Sequence, residues 1–89
     1  MKIKIELYGA SKDLSSENII EVNLKDNSQI KDLRKELYKF IDEKHEGNKK
    51  FYQLVKSSAF CSENDEIIQD DYLISKDQKI SIIPPIAGG

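Results

Sequence analysis

The segment Lys2-Ile3-Lys4-Ile5-Glu6-Leu7 alternates strictly between polar and apolar residues. Successive side chains of a β-strand point to opposite faces, so this alternation places Ile3, Ile5 and Leu7 on one face of a strand. Near the other end of the chain, Ile80-Ser81-Ile82 alternates in the same way. We predict that these two strands pair in parallel, because they carry the most regular apolar sets at the two ends of the chain.

Two elements are predicted to follow the first strand. After a polar, turn-rich stretch at 9–18, Ile20, Val22 and Leu24 alternate with polar residues and predict a second strand, which forms a hairpin with the first. Asp26-Asn27-Ser28 then offers an N-cap. The apolar residues that follow recur at helical spacing and predict an amphipathic helix of about four turns that ends near Gly47; they are Ile30, Leu33, Leu37, Phe40 and Ile41.

The pattern between this helix and the last strand is weaker. Phe51-Tyr52-Gln53-Leu54-Val55 is compatible with a helix, a strand or a loop. Residues 58–68 predict a short pair of strands around a polar turn, and residues 70–74 predict one helical turn with Leu73 in the core. A second polar turn at 75–78 precedes the last strand. Together these elements indicate an α+β fold in which the helix covers one face of the sheet.

Length and charge limit the possible classes of function. Eighty-nine residues suffice for one domain, which we place at 1–83, followed by a tail at 84–89. Fourteen basic and sixteen acidic residues are interspersed along the chain, so we expect neither nucleic acid nor a membrane surface as a partner. No apolar run is long enough to span a membrane, and the alternating start differs from a signal peptide. We therefore expect a cytoplasmic protein.

The single cysteine and the single histidine are not expected to take part in chemistry. Cys61 has no Cys-x-x-Cys partner and no identifiable base nearby in sequence, so we expect it to pack rather than to act as a nucleophile or sulfur relay. His45 lies in a run of charged residues and is expected at the surface. One cysteine and one distant histidine predict no metal site.

The final segment, Ile83-Pro84-Pro85-Ile86-Ala87-Gly88-Gly89, is the most informative about function. Two prolines fix φ at successive positions, so we expect the tail to leave the domain as a stiff, extended arm that reaches about 20 Å. Two glycines make an end that is thin enough to enter a narrow active site. The reactive group is then the carboxylate of Gly89. The alternative interpretation is a frayed end without a function.

This ending and two other segments resemble the ThiS/MoaD family of ubiquitin-like sulfur carriers, and most closely its MoaD branch, the small subunits of molybdopterin synthase. Residues 82–89 resemble the Pro-Pro-Val-x-Gly-Gly ending of that branch, residues 8–14 its aromatic first loop, and residues 27–33 its cap and helix start. Two segments depart from the family pattern. Residues 75–79 lack the glycine of the usual Asp-Gly-Asp turn, and Phe60-Cys61 stands where Val-Asn is common.

The resemblance implies a ubiquitin-like β-grasp fold, which is a mixed sheet with one main helix packed on one face and a projecting C-terminal tail. It also implies that a MoeB-like adenylating enzyme uses ATP and magnesium to activate Gly89, and that a sulfur donor system converts the adenylate to a thiocarboxylate. The thiocarboxylate would donate sulfur to the molybdopterin dithiolene, in molybdenum cofactor biosynthesis, on a MoaE-like large subunit. We expect this chain to bind no cofactor and the active site to lie on the large subunit.

The resemblance further assigns roles to individual residues. Gly89 would be adenylated and then carry the sulfur. The residues that would insert into the partner are those of the tail, Pro84, Pro85, Ile86, Ala87 and Gly88. Tyr8 and Ile83 are expected in the partner interface, with Ile67 or Ile68 between them. Since Tyr8 and Ile83 break the inward alternation of their strands, both should point away from the helix.

Three alternatives remain open. A ThiS-like carrier of the thiamine pathway would end in a similar way, although the diproline and the chain length favour the MoaD branch. A ubiquitin-like modifier, used in transfer RNA thiolation or in conjugation, would share the fold, and a conjugating modifier would join Gly89 to a lysine through an isopeptide bond. A binding module with an inert tail would show no ATP-dependent change at Gly89.

Overall fold

The computed structural model describes residues 1–85. Seven strands are present in this part of the chain: β1 Lys2–Leu7, β2 Ile19–Asn23, β3 Ser28–Gln29, β4 Ala59–Cys61, β5 Ile67–Ile68, β6 Leu73–Ile74 and β7 Gln78–Ile83. Five of them form a mixed sheet in the order β2-β1-β7-β4-β5, and β3 pairs with β6 in a small second sheet. β1 and β7 pair in parallel, which confirms the predicted contact between the first and last strands. All other neighbouring strands are antiparallel.

One hydrophobic core lies between the five-stranded sheet and α1 (Ile30–His45). The alternation in β1 is complete, because Ile3, Ile5 and Leu7 are at most 1% exposed. Most of the other fully buried members come from α1, α2 (Lys49–Ser57) and the remaining strands; they include Ile30, Leu33, Leu37, Ile41, Val55, Phe60, Ile74, Ile80 and Ile82. The predicted α+β architecture is confirmed. None of the helices in the described part of the chain has the length and apolar character that a membrane span requires.

The start of α1 differs from the prediction. The N-cap is Gln29, whose backbone N–H donates to Oδ2 of Asp32 at 2.9 Å. Ser28 instead directs its hydroxyl to the carbonyl oxygen of Lys25, at 2.7 Å. The predicted cap at residues 26–28 is therefore wrong, because the residues before the helix are held in the ladder between β3 and β6.

The helical turn predicted at residues 70–74 is also wrong. Leu73 and Ile74 form β6, and their pairing with β3 holds the backbone extended. Alternation within a strand then sends neighbouring side chains to opposite sides. Ile74 is fully buried and Leu73 is 50% exposed, so Ile74 fills the core position that was predicted for Leu73.

The segment for which the sequence left three possibilities open is helical and forms most of α2. Arg34 on α1 holds the end of this helix. Its guanidinium donates hydrogen bonds to the carbonyl oxygens of Val55 and Ser58, the latter at 3.1 Å. The same group lies 2.7 Å from Oδ1 of Asp70. Arg34 therefore adds a charged donor to carbonyl groups at the end of α2 and just beyond it.

His45 is not the solvated surface residue that was expected. Its Nε2 atom lies 2.6 Å from the carbonyl oxygen of Leu14, at the end of a 3₁₀ helix (Gly9–Leu14). Its ring contacts the ring of Phe51 edge to face, with centroids 4.5 Å apart. The expectation was wrong because the 3₁₀ helix and α2 both pack against the end of α1. From its position at the end of α1, His45 therefore contacts both the 3₁₀ helix and α2.

Candidate functional site

The strand that leads into the tail is held on both sides. β7 lies between β1 and β4, and its last residue, Ile83, pairs with Ala59. Pro84 follows directly and is half-buried, whereas Pro85 is exposed. The tail residues Ile86, Ala87, Gly88 and Gly89, to which the sequence assigned roles, lie outside the described residues. We call Ile83 and Pro84, where the tail leaves β7, the root of the tail.

Two large side chains are exposed beside this root. The register of β1 and β7 pairs Leu7 with Ile82, so Tyr8 and Ile83 follow at the ends of neighbouring strands. Leu7 and Ile82 point into the core, whereas Tyr8 is 42% exposed and Ile83 is 37% exposed. Both therefore lie on the face of the five-stranded sheet opposite α1, which we call the outer face. The structure brings these two predicted interface residues together.

Ile67 also lies on the outer face, but it does not lie between Tyr8 and Ile83. It belongs to the edge strand β5, two strands beyond β7, and it is 68% exposed. Ile68 pairs with Phe60 and packs against the core. The predicted position of Ile67 or Ile68 is thus wrong, because alternation within a strand does not determine the order of strands in a sheet.

A polar cluster borders Tyr8 on the outer face. The Tyr8 hydroxyl donates a hydrogen bond to the carboxylate of Glu6, and Oε2 of the same carboxylate lies 3.0 Å from Nζ of Lys79. The hydrogen bond from Tyr8, and then the one from Lys79, hold the pKa of Glu6 below its usual value. The hydrogen bond to Glu6 is also the main cause that raises the pKa values of Tyr8 and Lys79. This cluster orients the Tyr8 ring at the root of the tail.

Sequence reasoning missed this cluster. Glu6 and Lys79 lie on neighbouring parallel strands, where Glu6 is opposite Ser81. Their opposite charges would have indicated a contact only if the register of the two strands had been known. Cys61, for which packing was expected, is half-buried on the outer face, where it pairs with Ser81 and Ile67.

The composition of the outer face suits contact with another protein. Exposed apolar side chains next to a charged pair are typical of protein interfaces, which combine apolar area with a polar rim. Within residues 1–85, no group of three or more His, Cys, Asp or Glu side chains is placed to hold a metal ion.

The fold is shared with several proteins of known structure. SAMP1 from Haloferax volcanii superposes with a TM-score of 0.70 at 13% identity, over 100% of both chains. A complex of subunits 1 and 2 of molybdopterin-converting factor from Helicobacter pylori contains a chain that matches with a TM-score of 0.63 at 20% identity, over 100% of both chains. Ubiquitin from Caldiarchaeum subterraneum matches with a TM-score of 0.60 at 14% identity, over 100% of this chain and 98% of that one.

These likenesses define the class, which is the ubiquitin-like β-grasp fold. At such low identity they show the fold alone. The family follows from the sequence, because the ThiS family matches residues 5–89. The chain therefore belongs to the ThiS family, a group of ubiquitin-like sulfur carriers of the ThiS/MoaD type. No curated protein sequence matches the chain.

Proposed function

We propose that this chain is the sulfur carrier of molybdopterin synthesis and that its thiocarboxylate at Gly89 donates the dithiolene sulfur. The observation that carries the proposal is the placement of Tyr8 and Ile83 side by side on the outer face, directly where the tail begins. A partner that binds this face is in position to receive the tail. The diproline at Pro84-Pro85 and the terminal Gly88-Gly89 support the same interpretation.

The chemistry begins with activation of the tail. The carboxylate of Gly89 is an anion at neutral pH and does not react with nucleophiles. On a MoeB-like enzyme, one carboxylate oxygen attacks the α-phosphorus of ATP, with magnesium bound to the nucleotide, and pyrophosphate leaves. A sulfide equivalent from a donor system then attacks the acyl carbon, and AMP leaves with that oxygen. The product is a thiocarboxylate on the same glycine.

Transfer requires a second partner. We propose that the loaded carrier binds a MoaE-like large subunit through the outer face, and that residues 84–89 enter its active site. The Helicobacter pylori structure is a complex of subunits 1 and 2 of molybdopterin-converting factor, and this supports a large subunit as the partner. Pro84 and Pro85 limit the directions that the tail can take. Gly88 allows a close approach to the partner's backbone.

The test is reconstitution of the transfer. The thiocarboxylated chain is mixed with a MoaE-like large subunit and the pterin precursor, and the dithiolene product is measured. We expect product formation, and we expect Tyr8→Ala to weaken binding of the large subunit at least about tenfold, as loss of an aromatic anchor typically does. Tyr72→Ala is the matched control, because Tyr72 is 38% exposed and lies outside the five-stranded sheet.

Three outcomes contradict the proposal. The first is a loaded carrier that yields no dithiolene product with the large subunit. The second is sulfur transfer to the thiamine thiazole, which would assign the chain to the thiamine pathway. The third is an isopeptide conjugate through Gly89, which would make the chain a protein modifier.

A further inference from the structure

β2 is an edge strand of the five-stranded sheet, and the backbone groups on its side away from β1 have no partner strand among residues 1–85. The pair Met1 and Leu24 exchanges hydrogen bonds just beyond the strand, and the N–H of Leu7 donates to the carbonyl oxygen of Asn18 at 2.8 Å. Bonded pairs alternate in an antiparallel ladder, so the residues of β2 that bond to β1 are Ile20 and Val22. The backbone N–H and C=O groups of Ile19, Glu21 and Asn23 therefore point away from the sheet. Among residues 1–85, no strand pairs with this edge.

A groove of about 280 Å³ lies between this edge and α1. Val22 and Phe40 supply its apolar part, and Phe40 packs against the core. The remaining lining residues are mostly acidic; they are Glu21, Asn23, Glu36, Lys39 and Glu43. The free strand edge thus adjoins a groove with an apolar floor and, along α1, the carboxylates of Glu36 and Glu43. Because Val22 is buried, the side chain of the neighbouring Glu21 points to the outer face of the sheet.

The carboxylates of the groove are weakly compensated. Nζ of Lys39 lies 3.6 Å from Oε1 of Glu36, and on the outer face Nζ of Lys2 lies 3.7 Å from Oε1 of Glu21. Both pairs are solvent-exposed, and such pairs are typically worth less than about 1 kcal/mol. Glu43 makes no ion pair with any described residue. The groove therefore keeps a net negative charge.

We propose that the edge of β2 and this groove bind an extended segment of a partner protein that carries alternating basic and apolar side chains. The segment would add a sixth strand beside β2, with its backbone bonded to Glu21 and Asn23. Strand addition at an exposed sheet edge is a general mode of peptide recognition, in which the backbone supplies affinity and alternate side chains supply specificity. β2 has five residues, so a segment of about 17 Å would cover it.

Charge argues against a second copy of this chain as the occupant. An antiparallel pairing of two β2 strands centred on Glu21 would place the two Glu21 side chains opposite each other, and like charges in opposite positions are destabilising. A basic segment whose lysines face α1 instead meets the carboxylates of Glu36 and Glu43. The site does not depend on the proposed sulfur chemistry, because the root of the tail lies between β1 and β4, on the other side of β1.

The test uses a synthetic heptapeptide, Lys-Val-Lys-Val-Lys-Val-Lys, with blocked termini, added to the full chain. Binding is followed through the backbone amide signals in NMR spectra. We expect signals of β2 and of residues 36–43 to shift, and the amide protons of Glu21 and Asn23 to exchange more slowly with solvent. Replacing Glu36 and Glu43 with Gln should weaken binding about threefold for each carboxylate removed. The corresponding peptide with Glu in place of Lys should not bind.

Backbone pairing is tested by a matched pair of variants. Asn23→Pro removes one outward N–H donor and no charge, and proline is tolerated on an edge strand where its nitrogen faces solvent. We expect Asn23→Pro to abolish binding and Asn23→Ala, which keeps the N–H, to retain it. A peptide that is N-methylated at every residue should also fail to bind, because neither of its edges can then donate to β2, and this arm does not depend on how well a variant folds.

Four results would overturn the proposal. The peptide could fail to bind at millimolar concentration, or it could bind equally well after N-methylation. Its binding could shift the signals of Tyr8 and Ile83 on the outer face instead of those of β2. The chain alone could self-associate through β2 as its concentration rises, which would make a second copy the occupant.

Discussion

Gly9 lies against Pro84 at the root of the tail, because a β-carbon placed on Gly9 would be 3.9 Å from Cγ of Pro84. Gly9 has a φ of +55°, a left-handed conformation that side chains disfavour. The turn that ends β1 is thus in contact with the first residue of the tail. We infer that this turn helps to set the direction in which the tail leaves the sheet.

Replacing Gly9 with Ala should lower the free energy of unfolding by about 1 kcal/mol, because alanine must adopt the left-handed conformation. No steric clash adds to this cost, since the new methyl group would meet Pro84 at an ordinary contact distance. Gly47→Ala is the comparison. Gly47 has a φ of +70°, and a β-carbon added there would lie 3.2 Å from the hydroxyl of Tyr52. Gly47→Ala should therefore lower the free energy of unfolding by more than Gly9→Ala. Urea denaturation measures both, and equal losses would contradict this account.

The carboxylate of Glu6 should make stability depend on pH. Its pKa in the folded chain is lowered from 4.5 by the hydrogen bonds from Tyr8 and Lys79. A lowered pKa means that the contribution is complete above the unfolded value and is lost as pH falls through the folded value. The pKa values of Tyr8 and Lys79 are raised, so their contributions are complete below about pH 10 and are lost as pH rises further.

The wild-type chain should therefore unfold at a higher temperature than Glu6→Gln between about pH 5 and pH 9, and this difference should shrink at lower and higher pH. Thermal unfolding at a series of pH values measures it. Glu17→Gln is the control, because Glu17 is exposed and makes no ion pair with any described residue. A difference between wild type and Glu6→Gln that is constant from pH 3 to pH 9 would contradict the assignment.

Arg34 should be important for stability although it is charged. Its side chain is only 15% exposed, and it holds the end of α2 through carbonyl oxygens. Arg34→Met should cost about 2–3 kcal/mol in the free energy of unfolding, because the carbonyl groups lose a charged donor. Asp70→Asn removes only the exposed ion pair and should cost less than about 1 kcal/mol. Chemical denaturation distinguishes the two, and similar losses would show that the carbonyl contacts contribute little.

The neighbours Leu73 and Ile74 test the position of β6. Ile74 is fully buried, so Ile74→Ala should cost about 2–5 kcal/mol through the cavity that it leaves. Leu73 is 50% exposed, and Leu73→Ala should cost much less than Ile74→Ala. Chemical denaturation of the two variants measures the difference. A larger loss for Leu73→Ala than for Ile74→Ala would contradict β6 and favour the helical turn that the sequence predicted.

The central strands could be predicted from the sequence because their alternation is local. Ile3, Ile5 and Leu7 reveal a strand without any knowledge of its partners. β6 could not be predicted in this way, because Leu73-Ile74 is extended only through its pairing with Ser28-Gln29, more than forty residues earlier in the chain. The acidic residues before it are also compatible with a helix start, and they favoured the wrong element.

In the candidate site, too, features that follow from local alternation could be predicted from the sequence, whereas features that depend on strand order or register could not. The exposure of Tyr8 and Ile83 follows from breaks in the alternation of single strands. The position of Ile67 depends on strand order, and the contact between Glu6 and Lys79 depends on the register of two strands that are distant in sequence. Strand order and strand register cannot be read from the alternation of residues within one strand, so both became known only from the structure.

The central claim is that Gly89 becomes a thiocarboxylate, and intact-mass spectrometry tests it most directly. The chain is incubated with ATP, magnesium, a MoeB-like activating enzyme and a sulfur donor, and a variant that lacks Gly89 serves as the control. We expect a mass gain equal to the replacement of one oxygen by sulfur in the full chain and no gain in the control. An unchanged mass with this enzyme and with activating enzymes of the thiamine and transfer RNA thiolation pathways would contradict the claim.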